Sequence, residues 1–445
     1  MKRIITAIDF GTSKVTTIAG QKIGGSTKII AYSVAPSNGV IRGEVVNIQK
    51  VITSVQPTIV DVERQIGKTI TEVYVGISGQ QIHCKTIHTS RNRSRDELVS
   101  AEEIDNMIKD IYNSKIEDDE IILNVIPQSY NVGNYQEVDP IGMSGSEIEG
   151  TFMAIIGKKN LYHNISLVLE KLNLKLKNII INPIASASAV LSEDEKEVGA
   201  AMVDIGAGTS DLLVCKDNIV KHTAIIPFAG KSVTDDIRLV CKVSLKNSEK
   251  IKKYHGTCIS DHSLSNQSIT MANIGSGQSQ EIPLQLISSV IEARIAEIFE
   301  TLKVELEKNN LLQYTHRGLV LTGGTSHLTH IHLLAEKILG LKVRIATPSE
   351  PNILSNSVES VFSKEASTAV GLIIEGIKDM GALAEEDVNE IENPEYGSIF
   401  KNNEYSNEES KEEKKKVEKK KEKRKSKSFK DRFSGFFDIP DDNEA

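Results

Sequence analysis

The sequence predicts an α/β fold of two lobes, built from a duplicated unit, with a smaller α+β subdomain inserted in the first lobe. Two segments, residues 4–19 and 201–213, share one order: buried strand, Asp, turn of small residues, second strand. Their aspartates, Asp9 and Asp204, lie about 195 residues apart in a chain of 445, and such a repeat indicates duplicated domains. From residue 385 the chain is charged and aperiodic, so we expect the folded part to end there.

The turn of the second hairpin has the composition of an anion-binding loop. It consists of Gly206, Ala207, Gly208, Thr209 and Ser210. Glycine lets backbone N–H groups approach an anion closely, and the two hydroxyls add donors. Asp204, at the strand end, is placed to reach a Mg²⁺ ion through water, because this cation prefers carboxylates and keeps much of its hydration.

The first hairpin repeats this design. Asp9 is followed by the turn residues Gly11, Thr12, Ser13 and Lys14. Either loop alone is equally consistent with an ordinary hairpin that has glycine at its turn. Two matching loops favour one loop from each half facing a shared phosphate chain.

A third segment, residues 318–326, is an apolar strand that leads into Gly323, Gly324 and Thr325. A flat base and ribose can lie against such bare backbone. Together the three segments resemble the two phosphate motifs and the adenosine motif of the actin-like ATPase superfamily, which has a duplicated, ribonuclease H-like fold. The resemblance implies ATP bound between the lobes, with Asp9 and Asp204 holding Mg²⁺ through water.

Three further residues acquire a role only from this resemblance. Glu249 and Lys252 lie three apart on one helical face, where a surface ion pair is the common interpretation; the superfamily sends a Glu and a Lys from this helix to the adenosine end of the nucleotide. Asn182 stands where hydrolysing relatives carry an acidic or amide group that orients water. Because Asn can orient water but cannot act as a base, we expect a nucleotide-binding scaffold with at most slow hydrolysis, and we assign no catalytic residue beyond this water-orienting role of Asn182.

The pattern of the remaining chain predicts its elements. Ser100 and Glu103 form a capping box before a helix, and Ser232 or Thr234 is placed to cap another. The predicted helices are 49–67, 161–174, 284–308 and 366–377, and the predicted strands include 72–78, 121–125, 128–132 and 151–157. The predicted domains are lobe one (1–83, 164–195 and the closing helix 366–384), the inserted subdomain (84–163), lobe two (196–232 and 313–365), its outer subdomain (233–312), a disordered linker (385–426) and an amphipathic helix (427–439).

Composition limits the compartment and the partners. The four cysteines show no C-x-x-C spacing, which indicates reduced thiols and a cytoplasmic location. A window of about 18 uninterrupted apolar residues, as a spanning helix needs, does not occur. Arg91, Arg93 and Arg95 lack interleaved aromatics, so we interpret them as a solvated loop or a protein contact rather than a nucleic-acid site.

The C-terminal tail has two charge blocks and an apolar end. Residues 385–410 carry nine acidic groups and one Lys, whereas residues 411–428 carry eleven Lys or Arg and four Glu. Four of the ten phenylalanines then recur at helical spacing, with basic residues between them, before Pro440. The stripe comprises Phe429, Lys430, Arg432, Phe433, Phe436 and Phe437. Because a polar linker isolates this stripe, we expect it to meet an anionic membrane surface or the groove of a partner.

The motifs, the insertion with its Asp139-Pro140-x-Gly142-Met143-x-Gly145 segment, and the Phe-rich end together resemble the FtsA family of bacterial cell-division proteins. The resemblance covers about residues 1–380 and the last twenty. It implies head-to-tail filaments, a C-terminal anchor on the cytoplasmic face of the membrane at the division septum, and recruitment of later division proteins through the inserted subdomain. It also implies capture of the FtsZ C-terminal tail near residues 233–310, where we place Arg294. Two alternatives stay open: an actin-like component of a pilus or secretion platform, and an ATP-consuming enzyme of the superfamily.

Overall fold

The computed structural model describes residues 3–94, 97–260, 266–272, 279–349 and 351–389. Residues up to 381 group into one unit, and the described part of the second unit is the end of one helix. Within the described ranges, no helix is both long enough and apolar enough to cross a membrane.

Strands and helices alternate along much of the chain. The strands are β1 (Ile5–Phe10), β2 (Lys14–Ile23), β3 (Ser26–Pro36), β4 (Val40–Ile41), β5 (Glu44–Val45), β6 (Glu72–Ile77), β7 (His83–Asn92), β8 (Glu120–Val132), β9 (Tyr135–Glu137), β10 (Glu147–Lys158), β11 (Lys175–Ile181), β12 (Ala200–Ile205), β13 (Ser210–Lys216), β14 (Ile219–Ile226), β15 (Ser268–Ala272), β16 (Ser279–Pro283), β17 (Leu319–Thr322) and β18 (Val343–Ile345). The helices are α1 (Ile48–Ile66), α2 (Ala101–Tyr112), α3 (Lys159–Lys171), α4 (Asn182–Val190), α5 (Glu193–Val198), α6 (Gly230–Cys241), α7 (Leu245–His255), α8 (Leu284–Lys308), α9 (Ile331–Leu339) and α10 (Ser367–Asn389).

Two five-stranded sheets have the same topology. The lobe-one sheet has the order β11-β6-β1-β2-β3. The lobe-two sheet, read from its β18 edge, has the order β18-β17-β12-β13-β14, which matches the first strand for strand. In each, three strands that are consecutive in sequence pair antiparallel, and the first of them, which is the central strand of the sheet, pairs parallel with the strand on its other side. The predicted duplicated α/β fold is confirmed by this match. β1 and β12 are buried along their whole length, which explains their continuous apolar composition.

Helices α4 and α10 join the two sheets through one apolar core. This core contains Ala7 of β1, Met202 of β12 and Leu372 of α10, all of them fully buried. The two helices cross so closely that a Cβ at Gly371 would lie 1.7 Å from the carbonyl oxygen of Ala185. Only glycine fits this crossing.

The inserted module, residues 83–158, has its own sheet of order β7-β10-β8-β9. Helix α2 covers it and buries Met107 and Ile111, and the Tyr130 and Phe152 rings meet edge to face at 5.5 Å. Strands predicted at 121–125 and 128–132 form the single strand β8. Pro127 lies between the two predicted segments, and a register shift opposite Thr151 and Phe152 accommodates it as a bulge.

Two predictions about the charged start of this module need correction. Arg91 lies in β7 rather than in a loop, because an edge strand with a solvated face can be polar in composition. The capping box is half formed: Ser100 accepts from the Glu103 N–H, but the Glu103 carboxylate pairs with Arg93. The side chain of Arg93 is only 5% exposed. Arg95 lies outside the described residues.

The predicted start of α6 is also wrong. Neither Ser232 nor Thr234 caps it, because the helix already begins at Gly230 and both residues lie inside its first turns. The N–H groups of Gly230 and Lys231 donate to carbonyl oxygens of the second Gly-rich loop, which take the place of a side-chain cap. The other predicted helices are found within a few residues of their expected bounds, and α10 extends beyond residue 377.

Candidate functional site

The two Asp-containing loops meet face to face. Asp9 and Asp204 lie one residue before the ends of β1 and β12 and are 7% and 8% exposed. A Cβ at Gly208 would lie 2.2 Å from Thr12 Oγ1, so the glycine is what allows the two turns to touch. The structure therefore brings together two hairpins that are almost two hundred residues apart in the sequence.

The third predicted segment joins the second loop. β17 runs parallel to β12, so that Thr322 lies beside Asp204. Gly323 follows with φ 86° and ψ 164°, and a Cβ there would lie 2.2 Å from Asp204 Oδ1. The Thr325 hydroxyl donates to the Gly206 carbonyl oxygen at 2.7 Å, which fixes the Gly323-Gly324-Thr325 turn against the loop.

Glu249 and Lys252 are not a solvated surface pair. The Lys252 ammonium contacts Glu249 Oε2 at 2.7 Å and donates to the Gly230 carbonyl oxygen at 3.0 Å. Burial lowers the pKa of Lys252. Burial alone would raise the pKa of Glu249, but Lys252 and the Thr234 hydroxyl outweigh it, so this pKa is lowered. Because a Cβ at Gly230 would touch both Thr325 and Lys252, the pair borders the Gly323 turn.

Lys14 ties the first loop to the C-terminal part of the site. Its ammonium donates to the Glu365 carbonyl oxygen at 2.9 Å, and burial lowers its pKa.

Ser210 differs from the other turn residues: its hydroxyl donates to the Phe228 carbonyl oxygen at 2.7 Å, and its side chain is fully buried. The Ser210 hydroxyl is therefore already occupied within lobe two.

Burial opposes the ionisation of both loop aspartates, Asp9 and Asp204. Burial, opposed by Lys14 and reinforced by Asp204, raises the pKa of Asp9 to about 6. Burial also raises the pKa of Asp204, although hydrogen bonds from Ser186 at 2.7 Å and Thr368 at 3.1 Å oppose the rise. A nearby cation would return these groups to their charged form. Among the described residues, no three carboxylate, His or Cys side chains form a direct metal-binding cluster.

Asp211 is the site residue that the sequence analysis missed. It lies opposite Asp204 in the β12–β13 register and is 5% exposed. Burial, reinforced by Asp204, raises its pKa to about 8. The Ser78 hydroxyl, on the lobe-one side, lies 3.1 Å from both of its carboxylate oxygens. An acidic residue inside an apolar strand was the available sequence signal; for Ser78, Ser186 and Thr368 there was none.

Asn182 starts α4, directly after β11. Its buried Oδ1 has no hydrogen-bond partner among the residues that the structure describes. That oxygen packs against Gly76, which is the register partner of Asp9. An orphaned acceptor beside the first loop is suited to bind a water molecule.

The remaining predicted site residues are not part of this cleft. Arg294 of α8 pairs with Asp236 of α6, with Nε 2.5 Å from Oδ2 and a second contact of 3.1 Å, and it also pairs with Glu297. The Asp236 hydrogen bond raises the pKa of Arg294. Its guanidinium is thus already occupied within lobe two. The Phe-rich stripe from Phe429 to Phe437 lies outside the described residues.

Two protein-family models match different segments of the chain. The family model "Cell division protein FtsA" matches residues 201–371, and "SHS2 domain inserted in FTSA" matches residues 79–156. A Cell division protein FtsA of Pseudomonas aeruginosa is 31% identical over 378 residues, which cover 84% of this chain and 90% of that protein. The protein of the same name from Neisseria meningitidis serogroup B is 32% identical over 400 residues, with 89% and 95% covered. That of Escherichia coli K12 is 29% identical over 410 residues, with 90% and 96% covered.

Solved structures share the fold at lower identity. The PilM-PilN type IV pilus biogenesis complex aligns with a TM-score of 0.62 and 15% identity over 84% of this chain and 98% of that chain. MreB5 of Spiroplasma citri bound to ADP aligns with a TM-score of 0.51 and 15% identity over 87% and 99%. These likenesses confirm the predicted two-lobed actin-like architecture.

Proposed function

The chain belongs to the FtsA family of cell division proteins, and on that basis we propose that it binds ATP with Mg²⁺ in the cleft between its two Asp-containing loops. The observation that carries this proposal is the meeting of three segments: the two loops and the Gly323 turn. A protein of the same fold, MreB5, has ADP bound. A bound cation would also stabilise the charged form of the buried aspartates, which burial alone disfavours.

Each segment has a proposed part in binding. Backbone N–H groups and hydroxyls of the two turns would surround the phosphates. The first turn comprises Gly11, Thr12, Ser13 and Lys14, and the second comprises Gly206, Ala207, Gly208, Thr209 and Ser210. Asp9 and Asp204 would hold Mg²⁺ through water, and the ion would offset the phosphate charge. The adenosine end would lie against Gly323, Gly324 and Thr325, next to Glu249 and Lys252.

The binding proposal is tested by isothermal titration calorimetry of MgATP with Asp9→Ala and Asp204→Ala. Each variant should weaken affinity at least tenfold, because it removes a carboxylate next to the metal. Asp118→Ala, an exposed position in the inserted module, is the control and should bind like the unaltered chain. Unchanged affinity in both cleft variants would refute the site.

We propose that nucleotide binding serves assembly rather than metabolic turnover. Asn182 can hold a water molecule but cannot remove its proton. Slow hydrolysis at most is expected, and steady rapid release of phosphate by the purified chain would favour the enzyme alternative. The pilus-platform alternative rests on fold likeness at 15% identity, whereas the sequence relatives at about twice that identity are cell division proteins.

We further propose that the protein polymerises and tethers FtsZ to the cytoplasmic face of the membrane at the septum. The Phe-rich stripe supplies the anchor: burying a Phe contributes about 1.5–3 kcal/mol, and each basic residue near anionic lipid about 1 kcal/mol. One copy would bind reversibly, and a filament of many copies would bind firmly. The FtsZ tail would bind near Arg294, and later division proteins would bind the inserted module.

Liposome co-sedimentation tests the tether. The full chain, with ATP, should pellet with anionic vesicles and carry down a peptide of the FtsZ tail, whereas Phe433→Glu should stay in solution. Asn403→Glu adds the same charge in the linker and should still pellet. Equal pelleting of Phe433→Glu and the full chain would rule out the anchor, and undiminished peptide capture by Arg294→Glu would rule out that placement.

A further inference from the structure

The inserted module contacts both lobes. It leaves lobe one after β6 and returns to it at α3, yet β7 and β8 also lie along β14 of lobe two. The Cys84 thiol donates to the Thr223 carbonyl oxygen at 3.2 Å, and the Gln128 amide donates to the Val220 carbonyl oxygen at 2.9 Å. We call these two hydrogen bonds the latch contacts.

The latch contacts cover an open sheet edge. β14 is outermost in its sheet, so its outer carbonyl groups need partners from elsewhere. Apolar packing accompanies the hydrogen bonds. Ile225 of β14 is 9% exposed and belongs to the same cluster as Leu123 and Met153 of the module and Ile77 of lobe one. The contact is therefore a desolvated interface with specific polar partners.

The same interface reaches the cleft. Asp211, which bonds to Ser78, is the register partner of Ile225 in the β13–β14 pair. Ser78 itself immediately follows β6 and precedes the module in the chain. One continuous set of contacts thus runs from the buried carboxylates of the cleft to the module. Lobe separation large enough to part Ser78 from Asp211 would also pull β7 and β8 away from β14.

We propose that the inserted module is a latch across the two lobes: it stays docked on β14 while the cleft is closed, and it comes off β14 when the lobes part. Its control by nucleotide rests on the proposed function. By linkage, a partner that draws the module away from β14 would weaken nucleotide binding to the same degree that nucleotide weakens the binding of that partner.

Cys84 reports the state of the latch. It is half-buried, whereas Cys215, Cys241 and Cys258 are buried. Brief N-ethylmaleimide labelling of the full chain, read by peptide mass spectrometry, should modify Cys84 slowly. Gln128→Ala should speed its modification about tenfold, because it removes one latch contact. Labelling of Cys258 in the same sample would reveal any general unfolding.

A matched control lies on the same strand. The Asn131 side chain bonds to Glu149 inside the module, so Asn131→Ala removes an amide from β8 without touching lobe two. It should leave the Cys84 rate unchanged. Equal Cys84 rates in Gln128→Ala and Asn131→Ala would overturn the latch.

The coupling between the latch contacts and the cleft is tested by a substitution on the cleft side. Ser78→Ala, which acts on Asp211 rather than on β14, should raise the Cys84 rate several-fold, and MgATP should lower this rate in the unaltered chain. Equilibrium dialysis of the same sample measures whether nucleotide is bound. A constant Cys84 rate in a sample that binds MgATP would overturn the coupling. A sample that binds no MgATP would instead refute the proposed function, and the Gln128→Ala comparison would still decide the latch.

Discussion

Gly323→Ala tests whether the adenosine turn and the second Asp loop form one site. Gly323 has φ 86° and ψ 164°, a region that is essentially restricted to glycine. A Cβ there would lie 2.2 Å from Asp204 Oδ1 and 2.6 Å from the Ile205 carbonyl oxygen. The substitution therefore both strains the backbone and displaces the carboxylate.

The two effects have separate magnitudes. The backbone strain is about 1–3 kcal/mol. A displaced Asp204 loses at least one of its hydrogen bonds from Ser186 and Thr368, and a hydrogen bond to a charged group contributes about 1.5–3 kcal/mol. We therefore expect the free energy of unfolding to fall by about 2.5–6 kcal/mol. MgATP affinity should fall as well.

Urea unfolding, with Gly142→Ala as the control, separates the two effects. Gly142 has φ 85°, but, its chain neighbours aside, no atom of the described residues lies within 4 Å of the position that a Cβ would take, so this variant shows the backbone strain alone. Gly323→Ala should be the less stable variant by at least about 1.5 kcal/mol. Equal losses in the two variants, together with unchanged MgATP affinity, would refute the close packing of Gly323 on Asp204.

Two further predictions concern buried charge. Because the pKa of Asp211 is raised to about 8, the folded chain keeps a proton that the unfolded chain releases near pH 4, so stability should fall between about pH 4 and 8 by up to about 1.4 kcal/mol per pH unit. Asp211→Asn should flatten this dependence in urea unfolding at pH 5.5, 6.5 and 7.5 without nucleotide, and parallel profiles would contradict the pKa. Lys252→Ala should lower the free energy of unfolding by about 1–3 kcal/mol because it removes the 2.7 Å ion pair of the half-buried Glu249, which keeps the Thr234 hydroxyl and the more exposed Lys253. Lys253→Ala, whose side chain is 65% exposed and 3.7 Å from the same Glu249, should change it by about 0.5 kcal/mol or less, and equal losses would contradict the burial of Lys252.

The sequence alone predicted the local parts of this protein. The hairpins around Asp9 and Asp204, the α8 helix and the Gly323 turn follow from apolar periodicity and from the conformations that glycine permits. These properties depend on residues close together in the chain. The repeat of one hairpin design was enough to predict the duplicated fold, and the family resemblance assigned the three segments to one cleft.

Only the tertiary structure decided which partner a polar side chain takes. Glu103 pairs with Arg93 rather than with its own helix N-terminus, Arg294 pairs with Asp236, and the first turn of α6 is capped by carbonyl groups of a distant loop. The role of Asp211 depends on Ser78, 133 residues away. Partners so far apart in sequence leave no periodic pattern, because each is selected by the burial of a group that must be paired once water is excluded.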